Sequence, residues 1–221
     1  MKKVRKSQAQ REPVRQDGLA TRQQLLEAAG EVFAEQGYAR ATSKEICARA
    51  KANVAAVNYH FGSKEGLYAA VLEQAHSRLV SLEAMAAAAR SRIDPRLKLR
   101  MFIERVVAEI AKGERSGWEL RVLTREVLSR SPMMQGLVES QIAPKAKHLR
   151  SIIGEIMGLS PDDPAVSRCL VSIMGPFLML FIVDHSIRKK VAPKLELDLD
   201  MLTEHFVTFV LAGMQAVAKK R

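Results

Sequence analysis

The sequence predicts an all-α protein, with an N-terminal three-helix helix-turn-helix domain ahead of a six-helix C-terminal domain. Three observations carry this. No stretch alternates apolar and polar residues with period two, so strands are not expected. Apolar residues recur instead at helical spacing through segment after segment, punctuated by glycine and proline. Residues 41–64, A-T-S-K-E-I-C-A-R-A-K-A-N-V-A-A-V-N-Y-H-F-G-S-K, divide into two short helices joined by a tight turn, which is the form of a helix-turn-helix.

The chain of 221 residues carries 35 lysines and arginines against 24 aspartates and glutamates, a net charge of +11. That balance favours polyanionic partners, although a solvated helical surface is basic too. Residues 1–18 read as a polar, basic, disordered tail without the apolar stretch of a secretory signal. The tail either aids solubility or lies along a polyanion as an arm. The helix-turn-helix domain is expected over 19–66 and the larger domain over 67–221.

Within the first domain, Leu25, Ala28, Ala29, Val32 and Phe33 form the inward stripe of a helix over 20–36, closed by Gly37. Thr42 with Glu45 three residues on has the capping-box form and opens a helix to about residue 50. Asn53, a favoured N-cap, opens the second short helix, which runs to about residue 60. Gly62 ends it, and Ser63 with Glu65 starts the next.

At about 100° per residue, Val57 and Phe61 of the second short helix point inward. Ala55 and Tyr59 then point outward, with Ala56 beside them and Asn58 and His60 on the flanks. The chemistry of that face suits DNA. Alanines let the helix backbone approach base edges, asparagine holds adenine by two hydrogen bonds, and Tyr and His reach phosphates.

From about residue 20 to 71 the chain resembles the DNA-binding domain of the TetR family of bacterial repressors. The resemblance rests on T-R-Q-Q-L-L-E-A-A-G-E-V-F-A-E-Q-G-Y at 21–38, on A-T-S-K-E-I-C-A-R-A, and on V-N-Y-H-F-G-S-K-E-G-L-Y at 57–68. It implies a homodimer on a palindromic double-stranded DNA operator, a cytoplasmic location and an unidentified small-molecule effector. Lys44, Ala55, Ala56 and Asn58 would meet base edges. Thr42, Tyr59, His60 and Lys64 would meet phosphates, with Ser43 and Asn53 on the same DNA-facing surface. One departure stands out: the family usually has Gly in the turn where this chain has Lys51. Lysine at positive φ costs about 1 kcal/mol, so either the turn differs or the strain is tolerated.

The larger domain reads as helices over 64–88, 95–112, 117–130, 132–157, 164–189 and 198–217. Pro144 predicts a kink or break in the fourth. The last two are apolar on almost every side, which suits either a central core or a two-fold interface. The resemblance favours the interface, and Leu178, Phe181, Ile182, Phe206, Phe209, Val210 and Met214 are the residues expected there.

Candidates for an effector pocket are Met101, Trp118, Arg121, Met174, Phe177 and Asp184, each with an ordinary core, ion-pair or helix-end explanation as well. The segment W-E-L-R-V-L-T-R-E-V-L, with the prolines after it, resembles a subgroup of the family with an R-E…P ligand domain. A body that binds a protein and no small molecule is the alternative. The histidines at 60, 76, 148, 185 and 205 lack metal-ligand spacing, and there is no G-x-S-x-G, Walker A or G-x-G-x-x-G. No metal, cofactor or catalytic site is therefore expected. No uninterrupted apolar run reaches the roughly 18 residues of a membrane span, and Cys47 and Cys169 are expected as buried thiols.

Overall fold

The computed structural model describes residues 11–112, 117–129, 131–183 and 185–220, and all regular structure among them is helical. The chain divides into two compact units between Gln74 and Ala75.

The first unit holds α1 (Arg11–Gln36), α2 (Ser43–Arg49), α3 (Ala55–Phe61) and most of α4 (Lys64–Leu79). α1 begins at Arg11, so part of the expected disordered tail is helical; residues 1–10 lie outside the described residues. Leu25, Ala29, Val32 and Phe33 are fully buried, as are Ile46 of α2 and Leu67, Val71 and Leu72 of α4. The Tyr68 ring meets Phe33 edge-on at 4.8 Å. Gly37 at φ 77° ends α1, with its N–H on the Phe33 carbonyl.

The turn after α2 keeps a left-handed residue. Lys51 sits at φ 53°, the only positive φ outside glycine among the described residues, so the strain is tolerated. Exchange to glycine should relieve up to about 1 kcal/mol of it. A rise in the melting temperature of the Lys51→Gly chain by a few degrees is the expected result in calorimetry.

The second unit holds the end of α4, then α5 (Leu82–Arg90), α6 (Pro95–Ala111), α7 (Trp118–Ser129), α8 (Met133–Leu137), a π-helical turn (Val138–Ile142), α9 (Ala143–Met157), α10 (Pro164–Ile182), α11 (His185–Val191) and α12 (Leu199–Lys219). There are more segments than the six expected because three long helices are interrupted. Ser81 is extended and caps α5 by accepting the Ala84 N–H at 3.2 Å, which splits the segment 64–88. Before Pro144 the backbone opens into the π turn, with Ala143 donating to Val138, so the ring is accommodated at the start of α9. Val183 turns extended after α10 and separates it from α11.

Asp94, Asp163 and Asp198 cap α6, α10 and α12 by accepting main-chain N–H groups at 2.7, 2.7 and 2.9 Å. α6 lies at the centre, packed on α9, α10 and α12, and its Leu99, Ile103 and Val107 are fully buried with Ile153, Val166 and Phe177. Cys47 and Cys169 are buried free thiols.

α10 and α12 differ from expectation in two ways. Both are long and apolar enough to cross a membrane by length and composition; in α10, Ser172, Gly175 and Pro176 interrupt the apolar run without adding charge. The residues expected at an interface also divide. Phe206, Val210 and Met214 belong to the chain's own core, where the Phe206 ring lies 4.7 Å from that of Phe177, tilted by 52°. Leu178 and Phe209 are exposed, and Phe181 and Ile182 are half-buried.

Candidate nucleic-acid interface

α2, its turn and α3 set the site. Thr42 is extended, and its Oγ1 accepts the Glu45 N–H at 3.2 Å, leaving the hydroxyl hydrogen to donate outward. The Glu45 carboxylate does not complete a capping box; it accepts from Gln36 at 2.7 Å and from Arg49 at 3.0 Å. Arg49 also pairs with Glu35 at 2.8 Å, so both acids of this corner are neutralised. Asn53 Oδ1 accepts the Ala55 N–H at 2.9 Å, the bond expected of an N-cap.

α3 is anchored inward by Val57, which is 1 % exposed. Phe61 is only half-buried, and the Arg22 guanidinium lies over its ring, 5.0 Å from the centre. Ala55, Asn58 and Tyr59 are exposed, Tyr59 by 84 %, with Ala56 and His60 half-buried beside them. The Tyr59 and His60 rings meet edge to face at 4.8 Å, which holds both at the rim. An α-helix, about 10–12 Å across with its side chains, fits a major groove about 12 Å wide.

Lys44 and Thr42 are exposed and Ser43 is half-buried at the start of α2. Lys64 has work inside the unit: its Nζ donates to the Tyr38 and Ala41 carbonyls at 3.1 and 3.0 Å, over the Tyr38 ring. One N–H of the ammonium is left for a phosphate. The Tyr38 hydroxyl donates to Glu65, and burial with that carboxylate pushes its pKa up to about 12. Ser63 Oγ accepts the Gly66 N–H at 3.1 Å and caps α4. Together these bonds fix the angle between α3 and the start of α4.

The candidate effector residues are scattered. Phe177 is fully buried, Trp118 is buried with the Arg78 guanidinium 5.5 Å from its ring centre, and Met174 is half-buried. Met101 is 49 % exposed and Arg121 is exposed. Asp184 lies outside the described residues. Among the described residues no group of His, Cys, Asp and Glu could hold a metal ion.

Sequence reasoning missed a buried pair in this unit. Lys145 Nζ lies 2.7 Å from His76 Nδ1 and 3.2 Å from the His76 carbonyl, and Lys145 is 5 % exposed. The residues are 69 apart in the chain, and a lysine following Pro144 reads as surface, so no local signal marks them. Burial, then the neighbouring ammonium, holds the His76 pKa down at about 4, and burial holds Lys145 at about 8.

A pH dependence follows. An unfolded histidine takes its proton near pH 6.5, whereas folded His76 declines it until about pH 4. The His76 contribution to stability is therefore full above pH 6.5 and falls as pH drops from 6.5 towards 4, by up to about 3 kcal/mol. Melting curves between pH 4 and 7 should show a shallower acid loss for His76→Gln than for the parent chain.

Comparison with known proteins agrees with this geometry. Residues 25–71 match the family of bacterial regulatory proteins described as the tetR family. Residues 95–214 match the C-terminal domain of the HTH-type transcriptional dual regulator CecR. The CecR dual regulator of Shigella flexneri is 29 % identical over 172 residues, 73 % of this chain and 75 % of that protein. The transcriptional repressor NicS of Pseudomonas putida is 30 % identical over 145 residues, which spans 63 % of this chain but only 59 % of NicS. The FadR regulator of Bacillus subtilis, solved in complex with stearoyl-CoA, superposes with a TM-score of 0.66 at 17 % identity, covering 86 % of this chain and 98 % of that one. The chain belongs to the TetR family of DNA-binding transcriptional regulators, with a C-terminal domain of the CecR type.

Proposed function

We propose that the protein is a cytoplasmic, ligand-responsive repressor that binds a palindromic operator as a homodimer. The observation that carries this reading is the exposed face of α3: Ala55, Asn58 and Tyr59 stand clear of the unit while Val57 anchors the helix from behind. Asn58 and the two alanines read base edges in the major groove. Thr42, Tyr59, His60 and the remaining N–H of Lys64 hold phosphates, with Lys44 reaching bases from α2. The DNA-reading domain is assigned to 19–66 and the effector and dimerisation domain to 67–221.

The exposed apolar side chains of α10 and α12 support a two-fold partner. The fold shared with a regulator solved with stearoyl-CoA supports a small-molecule site among the body helices. An effector that binds the DNA-free state a hundredfold more tightly supplies about 2.7 kcal/mol of coupling, enough to release the operator.

The test is Asn58→Ala on an operator found by genomic footprinting. Operator affinity should fall by about 1–3 kcal/mol, with preference relaxed at one base pair of each half-site. Binding to random DNA should stay unchanged. Equal losses on operator and random DNA would remove direct base reading by Asn58.

A further inference from the structure

Two buried charges of the second unit meet an opposite charge. Lys98 meets Glu155 and the Ala89 carbonyl, each at 3.2 Å. Glu109 takes Lys112 at 2.8 Å, while Glu126 accepts from the neutral hydroxyls of Ser129 and Ser131. Lys145 differs from the first two. Its partners among the described residues are both neutral acceptors on His76, and no carboxylate reaches it. Two partners leave one ammonium hydrogen unused. A buried ammonium without a counter-ion is costly, and an apolar side chain of similar volume would remove that cost.

The surroundings also point to a ligand. Lys145 stands just after the π-helical turn Val138–Ile142, a distortion found frequently at functional sites. Within that turn, four residues before Lys145, Gln141 Oε1 is buried without a hydrogen-bond partner among the described residues. A cation short of an acceptor thus lies about one turn from an acceptor short of a donor.

We infer that Lys145 and His76 form the anion subsite of the effector site, and that the effector carries a carboxylate or phosphate group that bonds Lys145. The inference rests on the ligand-responsive reading above and names the chemistry of its ligand. The entering anion replaces His76 Nδ1 as the acceptor on Lys145, and Gln141 Oε1 accepts from a hydroxyl or amide of the same molecule. His76 belongs to α4, which runs unbroken from Lys64 to Leu79, so loosening His76 acts on the helix that also carries Lys64.

The experiment uses the full chain with 13C-labelled lysine and 15N-labelled histidine, at constant ionic strength. Acetate, octanoate and inorganic phosphate are titrated separately into the parent chain and into Lys145→Met. Saturable movement of the Lys145 13Cε and His76 ring 15N signals, absent in the variant, is expected. Saturation by the carboxylates alone identifies a carboxylate effector, and by phosphate alone a phosphorylated one. With no anion present, Lys145→Met should melt several degrees above the parent. A structural lysine would do the opposite, so a lower melting temperature overturns the inference. Absence of saturation with all three anions, or saturation that survives in Lys145→Met, overturns it as well; the parent titration decides should the variant not fold. Operator binding by the parent chain is measured in parallel. An anion that saturates Lys145 without moving operator affinity supports the subsite and sinks the ligand-responsive reading. Operator release by neutral compounds, with no anion saturating Lys145, does the reverse.

Discussion

Leu178→Glu combined with Phe209→Glu should leave the chain monomeric and lower its operator affinity at least a thousandfold. The two side chains are 44 % and 67 % exposed in the single chain, so the substitutions disturb no packing there. They belong to apolar faces that include Val171 and Met179 on α10 and Met201 on α12, exposed by 71, 60 and 63 %. Only 28 % of the apolar window of each helix is buried. Gly175 and Gly213 have nothing within 4 Å of where a Cβ would stand, so a second pair of helices can come close. Covering a leucine or phenylalanine contributes about 1.5–3 kcal/mol, and a two-fold axis counts each side chain twice. Light scattering should give the mass of one chain, and gel shifts should show the loss on the full palindrome. The melting temperature of the monomer itself should be little changed. A variant that remains dimeric would place the partner elsewhere.

Gly66→Ala should unfold the DNA-reading unit at growth temperature. A Cβ on Gly66 would lie 2.1 Å from the Phe61 carbonyl oxygen, and that oxygen is main chain that no rotamer change can move. The turn between α3 and α4 would have to open, at a cost of at least about 3 kcal/mol. α3 would then lose its angle to Val57's pocket and DNA binding would go with it. Gly62→Ala is the matched control. Its φ of 76° makes alanine strained, but no atom lies within 4 Å of the new Cβ, so only about 1 kcal/mol is expected. Hydrogen exchange should show collapse of protection across residues 43–72 for the first change and not for the second. Similar behaviour of the two would mean the Phe61 carbonyl yields easily.

Much of the first unit was legible because its signals are local. The stripe Leu25, Ala29, Val32 and Phe33, the Thr42 cap and the breaks at Gly37 and Gly62 each depend on residues within a few positions of one another. At Lys51 the sequence left two outcomes open, a changed turn or tolerated strain, and the left-handed φ of 53° decides for the second. The second unit hid more. α12 is apolar almost all round, so periodicity could not tell that Phe206, Val210 and Met214 face the chain's own core while Phe209 faces out. The break after α4 depends on Ser81 capping without an acid three residues on, a weaker sign than the one at Thr42. His76 and Lys145 meet only through tertiary packing, which linear spacing does not encode.

The C-terminal turn of α4 is held in an unusual way. Arg105 of α6 donates to the Arg78 and Leu79 carbonyls, and Lys145 of α9 donates to the His76 carbonyl. Three carbonyls at the end of one rod are thus moored by two cations, one of which, Arg105, also pairs with Glu109 at 3.2 Å. Salt screens such buried main-chain moorings little, whereas contacts with DNA phosphates weaken steeply as salt rises. Brine should therefore strip the regulator from DNA while leaving the rod tied down.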